Sequence, residues 1–321
     1  MKTALVSGAA GFIGSHLCEA LLSRDFQVIG VDNFLTGNKN NLNQLNGNQN
    51  FRCITHDVIK PLPDDPGADK IDMIFHLASP ASPNHHSKLS YHALPMETML
   101  VNSLGVINML DVAVKYQARF LFSSSSEIYG DPLEHPQKET YRGNTSTTGP
   151  RSVYDEAKRF GETITAYYNR DKGVDTRIVR IFNTFGPRMQ KTDQRMIVNF
   201  IRQALTDEPI TIYGDGTQTR SLCYVDDLVE GLLSYIFADN LSGTVINLGS
   251  NEEYTVMEYA RKIKEITQSK STIEITEPLP EDDPAKRKPD ITLSKQLIGW
   301  EPKTSFAEGL KKMVEDVKRN P

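Results

Sequence analysis

Tyr154 and Lys158 lie four residues apart in a segment with helical periodicity. Residues at this spacing share one face of a helix, so the phenol and the ammonium group are expected to lie side by side. A phenol with an ordinary pKa of about 10 is a poor base at neutral pH, and a neighbouring positive charge lowers that pKa. The pair therefore suits the removal of a proton from an alcohol, although the spacing alone also arises by chance.

A run of four serines followed by Glu127 ends a predicted strand upstream of this pair. In an open α/β sheet, functional side chains collect at the carboxyl ends of the strands. Ser125 or Ser126 is therefore placed to support Tyr154, and Glu127 to bring a carboxylate to the same point. Taken by itself, a serine run is as readily a polar loop.

Three glycines, at positions 8, 11 and 14, separate the first predicted strand from the first predicted helix. Glycines in this position let the backbone turn tightly and approach a pyrophosphate at the helix N-terminus. Asp32, at the end of the second strand, suits an adenosine ribose and repels a 2′-phosphate, which favours NAD over NADP. The residues expected to bind NAD are Gly8, Gly11, Phe12, Ile13, Gly14, Asp32, Asn33, Asp57, Val58, Leu77, Ala78, Ser79, Tyr154 and Lys158.

Longer motifs give these signals a family context. The sequence resembles the extended short-chain dehydrogenase/reductase family, and within it the UDP-glucuronate decarboxylases, also called UDP-xylose synthases. The resemblance covers essentially the whole chain. It is carried by the segments 76–83 (HLASPASP), 126–132 (SEIYGDP), 149–159 (GPRSVYDEAKR), 180–189 (RIFNTFGPRM), 282–290 (DDPAKRKPD) and 299–302 (GWEP).

The resemblance implies that bound NAD oxidises C4 of the glucuronate. A ketone at C4 is β to the C6 carboxylate, so the electrons left by departing CO₂ flow into an enolate. Protonation at C5 and reduction at C4 then give UDP-xylose. The catalytic residues implied are Tyr154 as the base, Lys158 and Ser125 or Ser126 in support, and Glu127 and Arg287 at C5 and the carboxylate.

The same resemblance implies that the second half of the chain binds the nucleotide. Guanidinium groups suit a diphosphate because they are permanently charged and forked, and Tyr213 is expected to pack against uracil. The substrate-binding residues implied are Pro80, Glu127, Asn183, Arg188, Tyr213, Gln218, Arg220 and Arg287.

Other enzymes of the family remain as alternatives. The 4-epimerases usually have a small residue at the position of Glu127, and dTDP-glucose 4,6-dehydratases have Asp-Glu in place of Ser126-Glu127. The missing Asp argues against dehydration, although GDP-mannose dehydratases share the Ser-Glu pair. A non-catalytic NAD-binding regulator is a further alternative. The intact Tyr154/Lys158 pair argues against it, since a sensor needs no ionised phenol.

The segment 84–94 departs from the family pattern, because it is longer than the loop expected beside the sugar. This leaves the exact sugar open but not the class of chemistry. His85 and His86 stand in this segment, yet no carboxylate or third histidine is near them in the sequence. We therefore expect no metal site.

Composition excludes several kinds of partner. The net charge is −5, with acidic and basic residues interspersed, so we expect neither nucleic acid nor an anionic membrane as partner. Three cysteines without metal-ligand spacing, Cys18, Cys53 and Cys223, indicate reduced thiols in a cytoplasmic protein. We find no signal peptide and no run of about 18 apolar residues, so we expect no membrane span.

The candidate catalytic and binding residues must be positioned by strands and helices, which alternate along the first half of the chain as apolar runs and helical patterns. These patterns predict strands at 3–7, 27–31, 73–77, 119–123 and 176–181, and helices at 12–23, 98–114 and 153–169. The fold class expected is α/β, a Rossmann-type doubly wound parallel sheet with a smaller α/β substrate-binding domain. We assign residues 1–183 to the NAD-binding domain and 184–321 to the nucleotide-sugar domain, with 224–248 returning to the first. By family analogy, helices 98–114 and 153–169 pair with their copies in a homodimer.

Overall fold

A computed structural model describes residues 1–63, 66–193, 195–279, 281 and 283–319 of the chain. Within them the strands are β1 (Thr3–Ser7), β2 (Gln27–Asp32), β3 (Phe51–Thr55), β4 (Met73–His76), β5 (Arg119–Ser125), β6 (Thr176–Ile181), β7 (Thr184–Phe185), β8 (Ile210–Tyr213), β9 (Thr219–Arg220), β10 (Cys223–Tyr224), β11 (Thr244–Leu248), β12 (Tyr254–Thr255) and β13 (Ile273–Glu277). The helices are α1 (Phe12–Leu22), α2 (Pro95–Leu100), α3 (Val106–Tyr116), α4 (Ser152–Lys172), α5 (Met196–Leu205), α6 (Val225–Phe237), α7 (Val256–Thr267), α8 (Thr292–Ile298) and α9 (Phe306–Arg319).

A parallel sheet in the strand order β3-β2-β1-β4-β5-β6-β11 forms the centre of the molecule. Both faces of this sheet are apolar, as the alternating residues of β1 illustrate. Ala4 and Val6 belong to a core shared with α1 and α6, whereas Leu5 points to the opposite face and a core shared with α3 and α4. Helices therefore cover both sides of a parallel sheet, which confirms the Rossmann-type doubly wound fold.

The second half of the chain contributes to both parts of the fold. The chain leaves the sheet after Ile181, returns as α6 and β11, and leaves it again after Leu248. Between and after these returns lie the small strand pairs β8–β13 and β9–β12 and the packed helices α5, α7 and α9. Together they form a lobe that faces the carboxyl ends of the sheet strands.

One long helical segment, Pro95–Tyr116, runs through α2, a π-helical turn at Val101–Gly105, and α3. It begins three residues before the predicted start because proline is tolerated in the first turn of a helix. By length and composition this segment is apolar enough to cross a membrane, although polar residues interrupt its apolar sequence. Buried helices of other folds meet the same criterion, and 44% of its apolar window is buried in the molecule.

Candidate active site

The glycine turn between β1 and α1 excludes side chains. Gly8 has a φ of +75°, and a Cβ there would lie 2.8 Å from the backbone nitrogen of Ala78. A Cβ on Gly14 would lie 2.0 Å from the carbonyl oxygen of Gly8. Glycine thus allows the turn to pack tightly, and Phe12, Ile13 and Gly14 at the N-terminus of α1 line a cleft, where backbone N–H groups suit a pyrophosphate.

Asp32 lies beside this turn at the end of β2. Its Oδ2 accepts a hydrogen bond of 2.9 Å from the Ala10 backbone nitrogen, and its Oδ1 accepts one of 2.8 Å from Phe34. Burial raises the pKa of Asp32, and these two hydrogen bonds oppose that shift. Each carboxylate oxygen keeps further capacity to accept a bond from a ribose hydroxyl.

A pocket of about 290 Å³ opens beside Asp32 and fits an adenosine. It is lined by most of the residues predicted to hold that end of the cofactor: Gly8, Asp32, Asn33, Asp57, Val58, Leu77, Ala78 and Ser79. Pro80, predicted to contact substrate, lies in this pocket rather than in the larger cleft.

The larger cleft, about 700 Å³, lies between the sheet and the second lobe. Tyr154 and Lys158 both line it, one turn apart on α4. The Lys158 Nζ donates a hydrogen bond of 2.8 Å to the carbonyl oxygen of Ser123 and lies 5.7 Å from the centre of the Tyr154 ring. This bond fixes the ammonium group under the phenol, on the side expected for it.

The pKa values of this pair differ from the expectation that Lys158 lowers the pKa of Tyr154. Burial raises the pKa of Tyr154 to about 12, although a hydrogen bond with Ser125 opposes the shift. Burial also lowers the pKa of Lys158 to about 7. Both shifts follow from low solvent exposure, which disfavours the charged forms and which sequence spacing cannot reveal.

The serines that end β5 divide into two groups. Ser123 Oγ donates to the carbonyl oxygen of His76, and Ser124 Oγ donates to Glu162, so both are used within the fold. Ser125 bonds Tyr154, and Ser126 lines the same cleft in a buried position. Of the two serines singled out from sequence, the structure thus places Ser125 at the phenol and Ser126 in the same cleft.

Glu127 lies between two arginines. Its Oε2 accepts from Arg151 Nη2 and its Oε1 from Arg287 Nη1, and Arg287 also donates to the Gly130 carbonyl at 3.1 Å. Burial alone would raise the pKa of Glu127, but the two guanidinium groups outweigh it and lower the pKa to about 2. Glu127 is therefore an anion at neutral pH. The structure brings it into contact with Arg287 across 160 residues of sequence.

The nucleotide candidates collect at the other end of the cleft. Tyr213, Gln218 and Arg220 line it from β8, β9 and their connection, and Asn183 lines it after β6. Gln218 donates to the Tyr213 carbonyl at 2.9 Å, while its Oε1 is buried without a hydrogen-bond partner among the described residues. An unsatisfied buried amide oxygen suits a ligand N–H, such as that of uracil.

Arg188 lies beside α1, apart from Tyr213, Gln218 and Arg220. Its φ of +66° turns the side chain back towards α1, where Nη2 donates to His16 at 2.9 Å and to Glu19 at 2.7 Å. It borders the cleft near the glycine turn, with Phe12, Ile13 and Gly14. Its surroundings are those of the predicted cofactor site rather than those of Tyr213.

Comparison with known proteins identifies the family to which the chain belongs. The sequence model of the NAD dependent epimerase/dehydratase family matches residues 4–249. The chain belongs to this family. The residues described above fit its cofactor, because the N-terminus of α1 lines the larger cleft and the smaller pocket presents the carboxylate of Asp32.

Curated relatives within this family are similar over nearly the whole chain. UDP-glucuronic acid decarboxylase 1 of Arabidopsis thaliana is 49% identical over 97% of this chain and 69% of its own length. UDP-glucuronic acid decarboxylase 1 of Danio rerio is 46% identical over 98% of this chain and 72% of its own. UDP-glucuronic acid decarboxylase 5 of Arabidopsis thaliana is 47% identical over 97% of this chain and 88% of its own length.

Solved structures of the family share the fold. UDP-glucuronic acid 4-epimerase of Bacillus cereus, solved with UDP-glucuronic acid and NAD, is 27% identical with a TM-score of 0.85, covering 99% of this chain and 100% of that one. UDP-glucose 4-epimerase of Thermotoga maritima, solved with UDP-glucose, is 28% identical with a TM-score of 0.85, covering 99% of both chains.

Several residues in the cleft or next to it in the chain were not singled out from sequence. Arg151 stands in the motif around Tyr154 but had no assigned role, and it holds Glu127. Asp283, on the loop before Arg287, pairs with Arg151. Asp155, next to Tyr154, has a pKa raised to about 8 by burial and by the charge of Glu127. Arg151 could have been found from sequence, because it stands three residues before Tyr154 in the same motif.

The long segment 84–94 forms one wall of the cleft. The rings of His85 and His92 stack with centroids 3.8 Å apart, and His86 lies 3.7 Å from Glu277. Among the residues that the structure describes, no group of three His, Cys, Asp or Glu side chains is arranged to hold a metal ion. The histidines therefore pack with each other and with an acid of the opposite lobe.

Proposed function

We propose that this protein converts UDP-glucuronate to UDP-xylose and CO₂, with NAD as its cofactor. The observation that carries the proposal is the contact of Glu127 with both Arg151 and Arg287, in the same cleft as Tyr154. The C6 carboxylate of a glucuronate needs cationic groups in the binding site, and Arg151 and Arg287 supply them. The identity of 45–49% to UDP-glucuronic acid decarboxylases over nearly the full chain supports the same substrate.

Binding uses both ends of the cleft. Arg220, Tyr213 and Gln218 hold the nucleotide, since a guanidinium group matches a diphosphate and an aromatic ring packs on uracil. Arg151 and Arg287 attract the C6 carboxylate. The sugar then lies between these two groups, beside the phenol of Tyr154.

Proton transfer begins at Tyr154. When bound, NAD supplies the two-electron oxidation at C4 and its reversal, and its positive ring favours the phenolate that burial otherwise opposes. Tyr154 takes the proton from O4, with Ser125 hydrogen-bonded to the phenol and Lys158 beneath it. The same phenol returns the proton to O4 in the final step.

Loss of CO₂ follows from the 4-ketone. The C5–C6 bond breaks, its electron pair enters the enolate formed by C5, C4 and O4, and a proton is added at C5. Glu127 and Arg287 lie where the carboxylate departs. Glu127 stays ionised at neutral pH because the two arginines hold its pKa at about 2, so its negative charge disfavours a carboxylate beside it.

A second candidate is 4-epimerisation of the same substrate. The specific observation in its favour is the similarity in fold to the Bacillus cereus 4-epimerase solved with UDP-glucuronic acid and NAD. An epimerase must let the 4-keto sugar turn over in the site and has no use for Glu127. The contacts of Glu127 with two arginines therefore favour decarboxylation.

Incubation of the purified protein with UDP-glucuronate, first without and then with added NAD, tests the proposal. CO₂ release and the sugar products are followed together, the latter by NMR. UDP-xylose with one equivalent of CO₂ supports decarboxylation. UDP-galacturonate without CO₂ assigns the epimerase instead, and a persistent 4-keto pentose assigns a decarboxylase that releases its intermediate.

We also propose a homodimer formed through the segment Pro95–Tyr116 and α4. These packed elements expose large apolar side chains to solvent, among them Met96, Leu104, Phe160 and Tyr167. Pairing with a second copy would cover this face and explains why Pro95–Tyr116 is so apolar.

A cytoplasmic location is our further proposal. Cys18, Cys53 and Cys223 are free thiols in the structure, with Cys18 and Cys223 buried. Free cysteines are typical of a reducing compartment. Fractionation of cells that produce the protein, with a cytoplasmic and a membrane marker, tests this location.

A further inference from the structure

Five charged side chains of alternating sign form a continuous row along the large cleft. In order they are Arg220, Asp283, Arg151, Glu127 and Arg287, and we call this row the clasp. Glu127 and Arg151 belong to the sheet side of the cleft, whereas the other three belong to the second lobe. The clasp therefore connects the two walls between which a ligand must enter.

Asp283 forms an ion pair with Arg220, the member of the clasp that lies at the nucleotide end of the cleft. Arg220 Nη2 donates to Asp283 Oδ2 at 2.7 Å, and Arg220 Nη1 donates to the carbonyl of Thr219 at 2.8 Å. Arg151 reaches the other carboxylate oxygen at the longer distance of 3.3 Å. The cationic face of Arg220 is thus used by a carboxylate of this chain.

A diphosphate and Asp283 need the same part of Arg220. Both terminal nitrogens of Arg220 already donate hydrogen bonds, Nη1 to the carbonyl of Thr219 and Nη2 to Asp283, so a diphosphate that binds this fork must compete with Asp283. Arg220 itself is buried, and it cannot turn away to offer a second face to the ligand. The side chain of Asp283 is 22% exposed and lies on a loop, so it is the member that can leave.

We propose that Asp283 is a built-in competitor of the nucleotide diphosphate for Arg220. The ligand's phosphates displace it, and Asp283 then keeps only its contact with Arg151, the arginine that holds Glu127. Occupation of the nucleotide end is thereby transmitted to the carboxylate end. The inference rests on the proposed function insofar as it assumes a UDP-sugar in this cleft.

Titration calorimetry with UDP and with uridine tests this competition. We expect Asp283→Asn to bind UDP about three- to tenfold more tightly than the wild type, because one partly exposed ion pair no longer has to be broken. Uridine lacks the diphosphate, so its affinity should not change. The matched control is Glu281→Gln, which removes the same charge two residues away in the same cleft. Among the described residues Glu281 pairs with no arginine, and its variant should bind UDP as the wild type does.

Other outcomes overturn the inference. Unchanged or weaker UDP binding by Asp283→Asn would show that Asp283 does not compete. An equal gain for uridine, or an equal gain in Glu281→Gln, would show a change in the pocket or in general electrostatics instead. If Asp283→Asn is poorly folded by circular dichroism, Asp283→Ala serves in its place, with the same expectation.

The test separates this inference from the proposed function. Wild-type protein that binds UDP but does not decarboxylate UDP-glucuronate contradicts the function and leaves the competition measurable. Intact decarboxylation with no gain in UDP affinity for either Asp283 variant contradicts the competition alone. Wild-type protein that does not bind UDP contradicts both.

Discussion

The ring of Tyr91 stacks on the ring of Tyr154, with centroids 5.0 Å apart and planes inclined by 16°. Tyr91 belongs to the long segment 84–94, and its hydroxyl is buried with no hydrogen-bond partner among the described residues. Burial raises the pKa of Tyr91, so the hydroxyl keeps its proton at neutral pH. The segment that departs from the family pattern thus packs directly on the candidate base.

Replacing Tyr91 separates the role of its ring from that of its hydroxyl. Tyr91→Phe should not lower the free energy of unfolding, because an unpartnered buried hydroxyl costs stability and its removal relieves that cost. Tyr91→Ala should lower it by about 3–5 kcal/mol, because it leaves a cavity beside Tyr154. Urea unfolding of the three proteins checks this. A Phe variant as unstable as the Ala variant would contradict the absence of a partner.

Gly8 should be essential for NAD binding. Gly8→Ala places a Cβ at a positive φ and 2.8 Å from the Ala78 nitrogen, so the turn must move out of the pyrophosphate position. We expect retention of NAD to fall at least about tenfold, with a stability loss of about 1–2 kcal/mol from the backbone strain. The control is Gly47→Ala, since Gly47 has a φ of +82° with nothing within 4 Å of its Cβ position. Equal loss of NAD in both variants would contradict the steric argument.

The buried ammonium of Lys158 should give the protein a specific pH dependence. Its pKa is about 7 in the folded protein, below the ordinary value of 10.5. Between these pH values the unfolded chain binds more protons than the folded one, so stability rises with pH. Below about pH 7 both states are protonated and the penalty is constant.

Lys158→Met should remove this dependence. The free energy of unfolding of the wild type, minus that of the variant, should increase from about pH 7 to about pH 10, as measured by urea unfolding at several pH values. Lys172→Met changes an exposed lysine of the same helix and serves as the control. A difference that is flat with pH would show that Lys158 is not destabilised by burial.

Glu127→Gln tests the centre of the carboxylate site. The substitution keeps the shape but removes the carboxylate that Arg151 and Arg287 share, so that Arg151 retains only its longer contact with Asp283. We expect this to cost about 3 kcal/mol of stability. Decarboxylation, measured as CO₂ release, should fall by about 10²-fold or more. Glu134→Gln, at an exposed position, should change neither quantity. Turnover of UDP-glucuronate within about threefold of the wild type would favour the epimerase instead.

The proposed dimer predicts which surface substitutions change the molecular mass in solution. Phe160 is 54% exposed on α4, and Phe160→Glu would place a charge in the paired face. We expect sedimentation equilibrium to show a dimer for the wild type and a monomer for this variant. Leu133→Glu changes a residue that is 82% exposed outside these helices and should remain dimeric. Identical masses for both variants would argue against this interface.

Much of the candidate site could be predicted from local sequence patterns. Tyr154 and Lys158 share a face because helical geometry alone requires it. Asp32 ends β2, and it lies beside the glycine turn because parallel strands end at one edge of the sheet. These relationships span a few residues or follow from the fold class, which periodicity indicated. The contact between Glu127 and Arg287 came only from the family resemblance.

Other features depend on packing that sequence does not display. Asp283 and Arg151 are 132 residues apart, and neither has a local pattern that indicates the other. The direction of Arg188 depends on its left-handed backbone conformation. The raised pKa of Tyr154 depends on how thoroughly neighbouring elements exclude water, so an argument from spacing gave the opposite sign.

The position of β11 in the sheet has a consequence for synthesis of the protein. β6 pairs with β5 on one side, and its other edge pairs with β11, which ends at Leu248. While the chain grows on a ribosome, the unpaired edge of β6 stays open through the emergence of about 60 more residues. An open edge can pair with other chains. The nascent sheet therefore cannot finish before much of the second lobe has emerged, and premature termination in between should produce an aggregating fragment rather than a free-standing NAD-binding domain.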